Sequence, residues 1–189
     1  MLDKELTQRV KLVAFDVDGV LTDGGVFIGL VAHHLLEFKQ FFVPDGLGIK
    51  LLRTAGLPVL FVSARESEAT EARAEELEVD ELIQVAPDQK LPALVAALEK
   101  RGLSLAQCAY AGDDLADLPI MKAVGLPIAV ANAVPEIQQA ARYVTTAVGG
   151  RGAVREIAEL LLKARGEWHG LIKKYFEAHE LARGSERSR

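Results

Sequence analysis

The strongest constraint on the fold is a repeated alternation of short apolar runs with longer helical patterns. Strands that are apolar on both faces and separated by helices are typical of a parallel sheet covered on both sides. The pattern therefore predicts an α/β fold of three layers around a central parallel sheet. The predicted strands are Val10–Phe15, Pro58–Val62, Glu81–Val85, Cys108–Ala111 and Leu126–Val130.

The segments between these runs have helical spacing, with one exception. Residues 23–40 carry two glycines before Val26-Phe27-Ile28 and a second apolar run at Leu35–Phe38. We predict a small β-hairpin at about residues 24–40, inserted after the first strand and too short for a separate cap domain. The predicted helices are Asp45–Ala55, Glu66–Leu77, Asp88–Arg101, Leu115–Val124, Val134–Ala141 and Gly152–Lys163.

The length of 189 residues suits one domain, which we expect to span residues 1–182. Residues 183–189 have no apolar anchor and are expected to form a disordered tail. Before this tail, an aromatic stripe at helical spacing includes Trp168, Tyr175, Phe176 and His179. Such a stripe is either a strap on the core of its own chain or an oligomer contact.

Composition argues against several partner classes. The formal net charge of -5 disfavours nucleic acid as the main partner, because phosphate backbones call for basic surfaces. Charges at Asp3, Lys4 and Glu5 interrupt the N-terminus, so no signal-peptide stretch forms. No uncharged run approaches the roughly 18 residues of a membrane span. The single cysteine, Cys108, excludes an intrachain disulfide, and we expect a cytoplasmic protein.

Carboxylates follow two of the predicted strands. Asp16 and Asp18 come directly after the first strand, and the run Gly112-Asp113-Asp114-Leu115-Ala116-Asp117 ends the fourth. Ligands of parallel α/β sheets bind beyond the carboxyl ends of the strands, so both clusters are expected to share one site. Acids this close repel one another, and a hard cation such as Mg²⁺ would relieve that repulsion. Magnesium bound by carboxylates and substrate phosphate points to phosphoryl transfer.

The residue types at the strand ends suit that reaction. The carboxylate of Asp16 can attack phosphorus and form an aspartyl phosphate. Asp18, re-aimed by the following turn, can protonate the leaving oxygen and later deprotonate water. Ser63 could donate to a phosphate oxygen, and Lys90 could neutralise phosphate charge and keep Asp16 ionised. Asp113 is then a candidate metal ligand.

The ordered set Asp16-Val17-Asp18-Gly19-Val20, Ser63, Lys90 and Gly112–Asp117 resembles the four motifs of haloacid-dehalogenase-type phosphatases. A closer resemblance is to the small, capless 3-deoxy-D-manno-octulosonate 8-phosphate phosphatases. It implies a Rossmann-like fold, Mg²⁺ as cofactor, a small phosphorylated sugar acid as substrate and a homotetramer. This closer resemblance rests on the stretches Asp16–Gly24, Asp45–Ile49, Ser63–Glu66 and Gly149–Glu156.

The resemblance also implies a role for each matching residue. Asp16 is the nucleophile and a metal ligand, and Asp18 supplies the acid–base carboxylate and a backbone carbonyl to the metal. The remaining expectations are a metal ligand at Asp113, supporting carboxylates at Asp114 and Asp117, and phosphate or substrate contacts from Ser63, Ala64, Arg65 and Lys90.

The sequence departs from this family where sugar recognition is expected. The hairpin turn is apolar, ending in His33 and His34, and Pro44 replaces a basic residue before the Asp45-Gly46 pair. Three alternatives therefore stay open: a nine-carbon sugar-acid 9-phosphate phosphatase, a broad-specificity phosphatase of the same superfamily, and a non-catalytic tetramerisation module. Asp114 and Asp117 could also merely cap the next helix, and Arg151 could bind an anion or lie in a plain exposed loop.

Overall fold

The computed structural model describes residues 3–175 and 177. Its centre is a six-stranded sheet in the order β5-β4-β1-β6-β7-β8, and every neighbouring pair is parallel. All five predicted strands are present, so the predicted α/β sheet is confirmed; the edge strand β8 was not predicted. The strands are β1 (Leu12–Phe15), β4 (Val59–Ser63), β5 (Glu81–Gln84), β6 (Cys108–Gly112), β7 (Leu126–Ala129) and β8 (Tyr143–Val144).

Helices cover the sheet at the predicted places, with boundaries that differ by a few residues. The short first helix was not predicted. The helix predicted to start at Leu115 starts at Leu118, because residues 115–117 form a turn of 3₁₀ helix before it. The helices are α1 (Lys4–Arg9), α2 (Val43–Thr54), α3 (Glu68–Glu76), α4 (Lys90–Glu99), α5 (Leu118–Ala123), α6 (Pro135–Ala140) and α7 (Ala153–Ala164).

Strand β1 lies at the centre of the hydrophobic core, and all four of its residues are buried. Phe15, its last residue, is in register with Phe61 of β4 and with Ala111 of β6. The carboxyl ends of three adjacent strands therefore meet at one edge of the sheet. This register brings the segments after β1, β4 and β6 together, although they are far apart in sequence.

The predicted insertion after β1 is a two-stranded antiparallel hairpin, β2 (Phe27–Val31) and β3 (His34–Phe38). It forms a sheet of its own, separate from the central one. The turn consists of Ala32 and His33, both in the left-handed region with φ of 49° and 67°. The confirmed fold class includes this small hairpin and has no cap domain in the described residues; the single-domain boundaries stay a prediction.

The hairpin is apolar on both of its faces. Six large side chains on it are between 58% and 75% exposed, which is unusual for residues of this kind. They are Phe27, Ile28, Leu30, Val31, Leu35 and Phe38. His33 and His34 are exposed as well.

After α7 the chain is helical again over residues 168–175. Leu171 is buried, and Trp168 and Ile172 pack against the core, so this part of the aromatic stripe straps its own chain. Arg155 and Lys163 of α7 lie over the Trp168 ring, 5.5 and 5.1 Å from its centroid. Phe176 and His179, also assigned to the stripe, lie outside the described residues.

Helices α2 and α7 meet at their N-termini through one buried carboxylate. Asp45 in the first turn of α2 accepts hydrogen bonds from the backbone N–H of Arg155 at 2.7 Å and of Gly152 at 3.3 Å. It thereby caps α7, whose own N-cap residue, Gly152, has no side chain to do so. Pro44 suits the first turn of α2, where a missing backbone donor costs nothing.

Among the helices of the described residues, none combines the length and the apolar composition that crossing a membrane requires.

We predict that Asp45→Ala lowers the free energy of unfolding by about 2 kcal/mol, because two backbone donors at a buried helix end lose their acceptor. Urea denaturation measures the change, and the control Glu99→Ala, at an exposed position of α4, should differ little from the wild type. Equal stability of Asp45→Ala and wild type would show that the contact does not stabilise the fold.

Candidate active site

The loop after β1 is shaped by backbone contacts that only glycine permits. Gly19 has a φ of +100°, and a Cβ on it would lie 1.9 Å from a carboxylate oxygen of Asp113. From the far end of the chain, Gly149 approaches so closely that its Cβ would lie 1.6 Å from the carbonyl oxygen of Gly19. The Thr22 hydroxyl accepts from the backbone N–H of Gly24 at 3.2 Å. The loop that carries Asp16 and Asp18 is thus held from several sides.

Lys90 is the electrostatic centre of the site. It is the first residue of α4 and is 2% exposed. Its Nζ donates to Oδ1 of Asp16 at 2.6 Å and to Oδ1 of Asp117 at 2.5 Å. Burial alone would lower the pKa of Lys90, but attraction to Asp16 and Asp117 outweighs burial and raises the pKa above its ordinary value. The ammonium form is therefore the one that bridges the two carboxylates.

Asp117 is held by three donors at once. Besides Lys90, its Oδ1 accepts from the Tyr110 hydroxyl at 2.6 Å, and its Oδ2 accepts from the backbone N–H of Asp113 at 3.0 Å. Burial, and next the charge of Asp117, raises the pKa of Tyr110 well above its ordinary value, so the phenol keeps its proton. Asp117 thus orients both Lys90 and the segment that carries Asp113.

Three carboxylates converge beside this lysine. One oxygen each from Asp16, Asp113 and Asp117 lie within 4.8 Å of one another. Burial, followed by the charge of Asp117, raises the pKa of Asp16 well above its ordinary value. Burial and the charges of Asp117 and Asp114 raise the pKa of Asp113 to about 7. One ammonium group therefore does not neutralise the negative charge that these side chains would carry when ionised.

This charge excess is the observation that fits a divalent cation. The donors of Asp117 already engage both of its oxygens, so Asp16 and Asp113 are the carboxylates suited to direct metal contact. Hard oxygen ligands in this number are what Mg²⁺ takes in proteins, with water and substrate phosphate completing its shell. A bound cation would also favour the ionised form of both carboxylates.

The carboxylate of Asp18 contacts β4 and the residue that follows the hairpin. Its Oδ2 lies 3.4 Å from the Ser63 hydroxyl, a long contact. The same hydroxyl makes shorter contacts with the backbone of Arg65, to its carbonyl at 3.0 Å and from its N–H at 3.1 Å. Ser63, the last residue of β4, therefore turns the following loop toward Asp18.

The other predicted site residues lie around this centre. The guanidinium of Arg65 is half exposed and pairs with Glu37 of the hairpin at 2.9 Å. Ala64 is partly buried between Ser63 and Arg65. Asp114 is exposed, and its carboxylate caps the turn after it by accepting from the N–H of Leu115 at 2.7 Å. The charge of Asp114 also contributes to the raised pKa of Asp113.

Sequence reasoning missed two residues here. Lys39 follows the hairpin, and its Nζ lies 2.7 Å from Oδ1 of Asp18. Glu37 and Lys39 alternate with Phe38, and this period of two could have placed both on the face that covers the site. The sequence pattern places Tyr110 in an apolar strand, yet a hydroxyl in a buried strand needs a hydrogen-bond partner. That requirement was the available signal for its contact with Asp117.

Comparisons with known proteins agree with this geometry. Residues 83–157 match the family model of the haloacid dehalogenase-like hydrolases. The 3-deoxy-D-manno-octulosonate 8-phosphate phosphatase KdsC of Escherichia coli (strain K12) is 41% identical over 160 residues, which cover 85% of this chain and 83% of that relative. The resemblance in the sequence motifs is thereby confirmed over most of the chain.

Solved structures show the same architecture. The phosphatase of this name from Moraxella catarrhalis, in complex with a magnesium ion, a phosphate ion and KDO, has a TM-score of 0.85 at 38% identity, covering 91% of this chain and 97% of that one. The cobalt-bound enzyme from Haemophilus influenzae has a TM-score of 0.77 at 35% identity, covering 85% and 92%. This chain belongs to the 3-deoxy-D-manno-octulosonate 8-phosphate phosphatase family of haloacid dehalogenase-like hydrolases.

Proposed function

We propose that this protein is a Mg²⁺-dependent phosphatase that hydrolyses 3-deoxy-D-manno-octulosonate 8-phosphate. The observation that carries the proposal is the buried Lys90 joining Asp16 to Asp117, with Asp113 alongside, at the carboxyl edge of the sheet. Family membership supports the reaction class, and the name of the E. coli relative supports the substrate.

Asp16 is proposed as the nucleophile. Its carboxylate oxygen forms a bond to phosphorus while the bond from phosphorus to the sugar oxygen breaks, which gives an aspartyl phosphate and the free sugar acid. Water then attacks the same phosphorus, releases inorganic phosphate and restores the carboxylate. Lys90 keeps Asp16 oriented and offsets the negative charge that gathers around the transferring group.

Magnesium would be held by the carboxylates of Asp16 and Asp113, with the backbone carbonyl of Asp18 added from the family resemblance. When bound, the ion supplies charge neutralisation for an anionic nucleophile that meets an anionic ester. Asp117 holds the backbone of Asp113 and the ammonium of Lys90, so it keeps the ligand set in place without contacting the metal.

Asp18 is proposed as the acid–base group. It gives a proton to the departing sugar oxygen in the first step and takes one from the attacking water in the second. Ser63, Ala64 and Arg65 follow β4 beside it, and we propose that their hydroxyl, backbone and guanidinium contact the phosphate or the rest of the substrate. Arg65 would exchange its exposed pairing with Glu37 for a substrate anion.

A nine-carbon sugar-acid 9-phosphate is the second candidate substrate. The observation that favours it is Pro44 in the first turn of α2, together with an apolar hairpin, where the family resemblance leads us to expect polar sugar contacts. A phosphate-release assay over a panel of phosphorylated sugars separates these candidates from a broad-specificity phosphatase. Inactivity on every ester would favour the non-catalytic tetramerisation module.

The protein is further proposed to act as a homotetramer. The exposed apolar hairpin supports this assembly, because its two faces and free strand edges are a liability unless other copies cover them. Neighbouring copies of this chain are the partners that the family resemblance favours. The cytoplasmic location expected from the sequence stays a prediction.

We expect Asp16→Asn to lower the rate of phosphate release from 3-deoxy-D-manno-octulosonate 8-phosphate by at least about a thousandfold, since an amide oxygen is a poor nucleophile. EDTA should abolish the wild-type rate, and added Mg²⁺ should restore it. The control Asp3→Asn keeps a helix-capping side chain at an exposed position and should retain full activity. Substantial turnover by Asp16→Asn would refute the assignment of the nucleophile.

Magnesium affinity should rise with pH. With its pKa raised to about 7, Asp113 carries a proton in most molecules at pH 6 and in few at pH 8, and the metal must displace that proton. We therefore expect the dissociation constant for Mg²⁺ to fall about tenfold between these two pH values. Calorimetric titration at both values measures it. Equal affinity, or tighter binding at the lower pH, would contradict this linkage.

Light scattering after size-exclusion chromatography should give a mass of about 82 kDa, four times the chain mass of 20.4 kDa. Leu30→Asp places a charge on the most exposed apolar residue of the hairpin and should yield smaller species. The matched control Glu99→Asp keeps the charge at an exposed helix position and should leave the assembly intact. A monomeric wild type would overturn the tetramer.

A further inference from the structure

We propose that Lys39 is a positioning residue for the acid–base carboxylate of Asp18, supplied by the hairpin. The inference rests on the proposed phosphatase function and adds to it a residue that none of the sequence motifs contains. Lys39 directly follows β3, so it ties the geometry of the reaction to the placement of the inserted hairpin.

The contact is short and withdrawn from solvent. The side chain of Lys39 is 0% exposed, and its Nζ lies 2.7 Å from Oδ1 of Asp18. The same ammonium donates to the Thr70 hydroxyl at 3.2 Å and lies 3.6 Å from a carboxylate oxygen of Glu37. A lysine side chain without solvent exposure is uncommon unless it is paired, so the contacts with Asp18 and Glu37 account for its burial.

Asp18 depends on this lysine for its orientation. Within the described residues, its buried Oδ1 accepts no directed hydrogen bond, so the ion pair with Lys39 is what neutralises that oxygen. The other oxygen, Oδ2, has only the long contact with Ser63 at 3.4 Å. Lys39 therefore fixes Oδ1 and leaves Oδ2 as the oxygen that can exchange a proton with the substrate.

The hairpin is anchored next to this contact by polar groups. Glu37 accepts from the Ser67 hydroxyl at 2.7 Å and from the Arg65 guanidinium at 2.9 Å. The large apolar side chains of the hairpin are exposed, so they do not provide this anchoring within one chain. Glu37 and Lys39 thus connect the hairpin to the loop after β4 and to Asp18 at the same time.

The consequence for the reaction concerns the proton. In the first step Oδ2 gives its proton to the sugar oxygen as the bond from phosphorus to that oxygen breaks and the bond from Asp16 forms. In the second step Oδ2 takes a proton from water as water attacks the aspartyl phosphate. A carboxylate that is not held by Lys39 would present this oxygen less often, and the loss would be greatest where the leaving group needs the proton.

The test compares two esters in the variant Lys39→Met, which keeps the length of the side chain and removes its charge. The sugar ester, 3-deoxy-D-manno-octulosonate 8-phosphate, has an alkoxide leaving group that needs a proton, whereas p-nitrophenyl phosphate releases a stable phenolate. We expect kcat/KM, which reports the steps up to release of the leaving group, to fall at least about tenfold more for the sugar ester than for the aryl ester.

Matched variants control for charge and folding. Lys39→Arg keeps a cation near Asp18 and should restore most of the wild-type ratio between the rates on the sugar ester and on the aryl ester. Lys100→Met removes a lysine that is 70% exposed and lies at the opposite end of α4 from Lys90, and it should behave as the wild type. If Lys39→Met does not give folded protein, Lys39→Gln replaces it in the comparison of the two esters. Glutamine retains a hydrogen-bond donor for Thr70 and lacks the charge.

The outcomes separate this inference from the proposed function. An active wild type with equal losses of kcat/KM on both esters in the folded lysine variant would make Lys39 merely structural and overturn the positioning role. An unchanged rate on both esters would overturn it as well. Absence of phosphate release by the wild type would refute the proposed function, and this inference with it.

Discussion

The active site depends on one buried ammonium group shared between two carboxylates. Taking Lys90, Asp16 and Asp117 out of water costs several kcal/mol per ion, and only close pairing offsets that cost. Removing Lys90 would leave both carboxylates in the core without their shared counter-charge. Tyr110 and the backbone of Asp113 complete the hydrogen bonds of Asp117, so the network is satisfied and has one geometry.

The sheet topology explains how so many charged groups come together. β1 lies between β4 and β6, and the carboxyl ends of the three strands lie at the same edge of the sheet, so groups that follow them meet without a long loop. The buried strands provide a rigid base on which carboxylates are held close despite their repulsion. Lys90 is the first residue of α4, and from there its buried side chain contacts Asp16. The order of the strands therefore determines which charged groups come into contact.

The sequence was enough to predict the strands, which have a local pattern, and the site residues that belong to the ordered set of motifs. Five apolar strands and the carboxylates after them identify the edge at which Asp16 and Asp113 meet, and the order of the motifs identifies Lys90. Periodicity could not find β8, because a two-residue edge strand has no pattern of its own. Lys39 was not predicted, because the period of two places it on one face of the hairpin but does not show that this face lies against Asp18 and the loop after β4.

The contact between Gly149 and Gly19 has a consequence for how this enzyme matures. The loop that presents Asp16 rests on backbone atoms contributed 130 residues later, with no room for a side chain between them. During synthesis β1 is made well before residue 149, so the loop after β1 reaches its final packing only once Gly149 is available. Asp16 is therefore made before the residues that complete its surroundings.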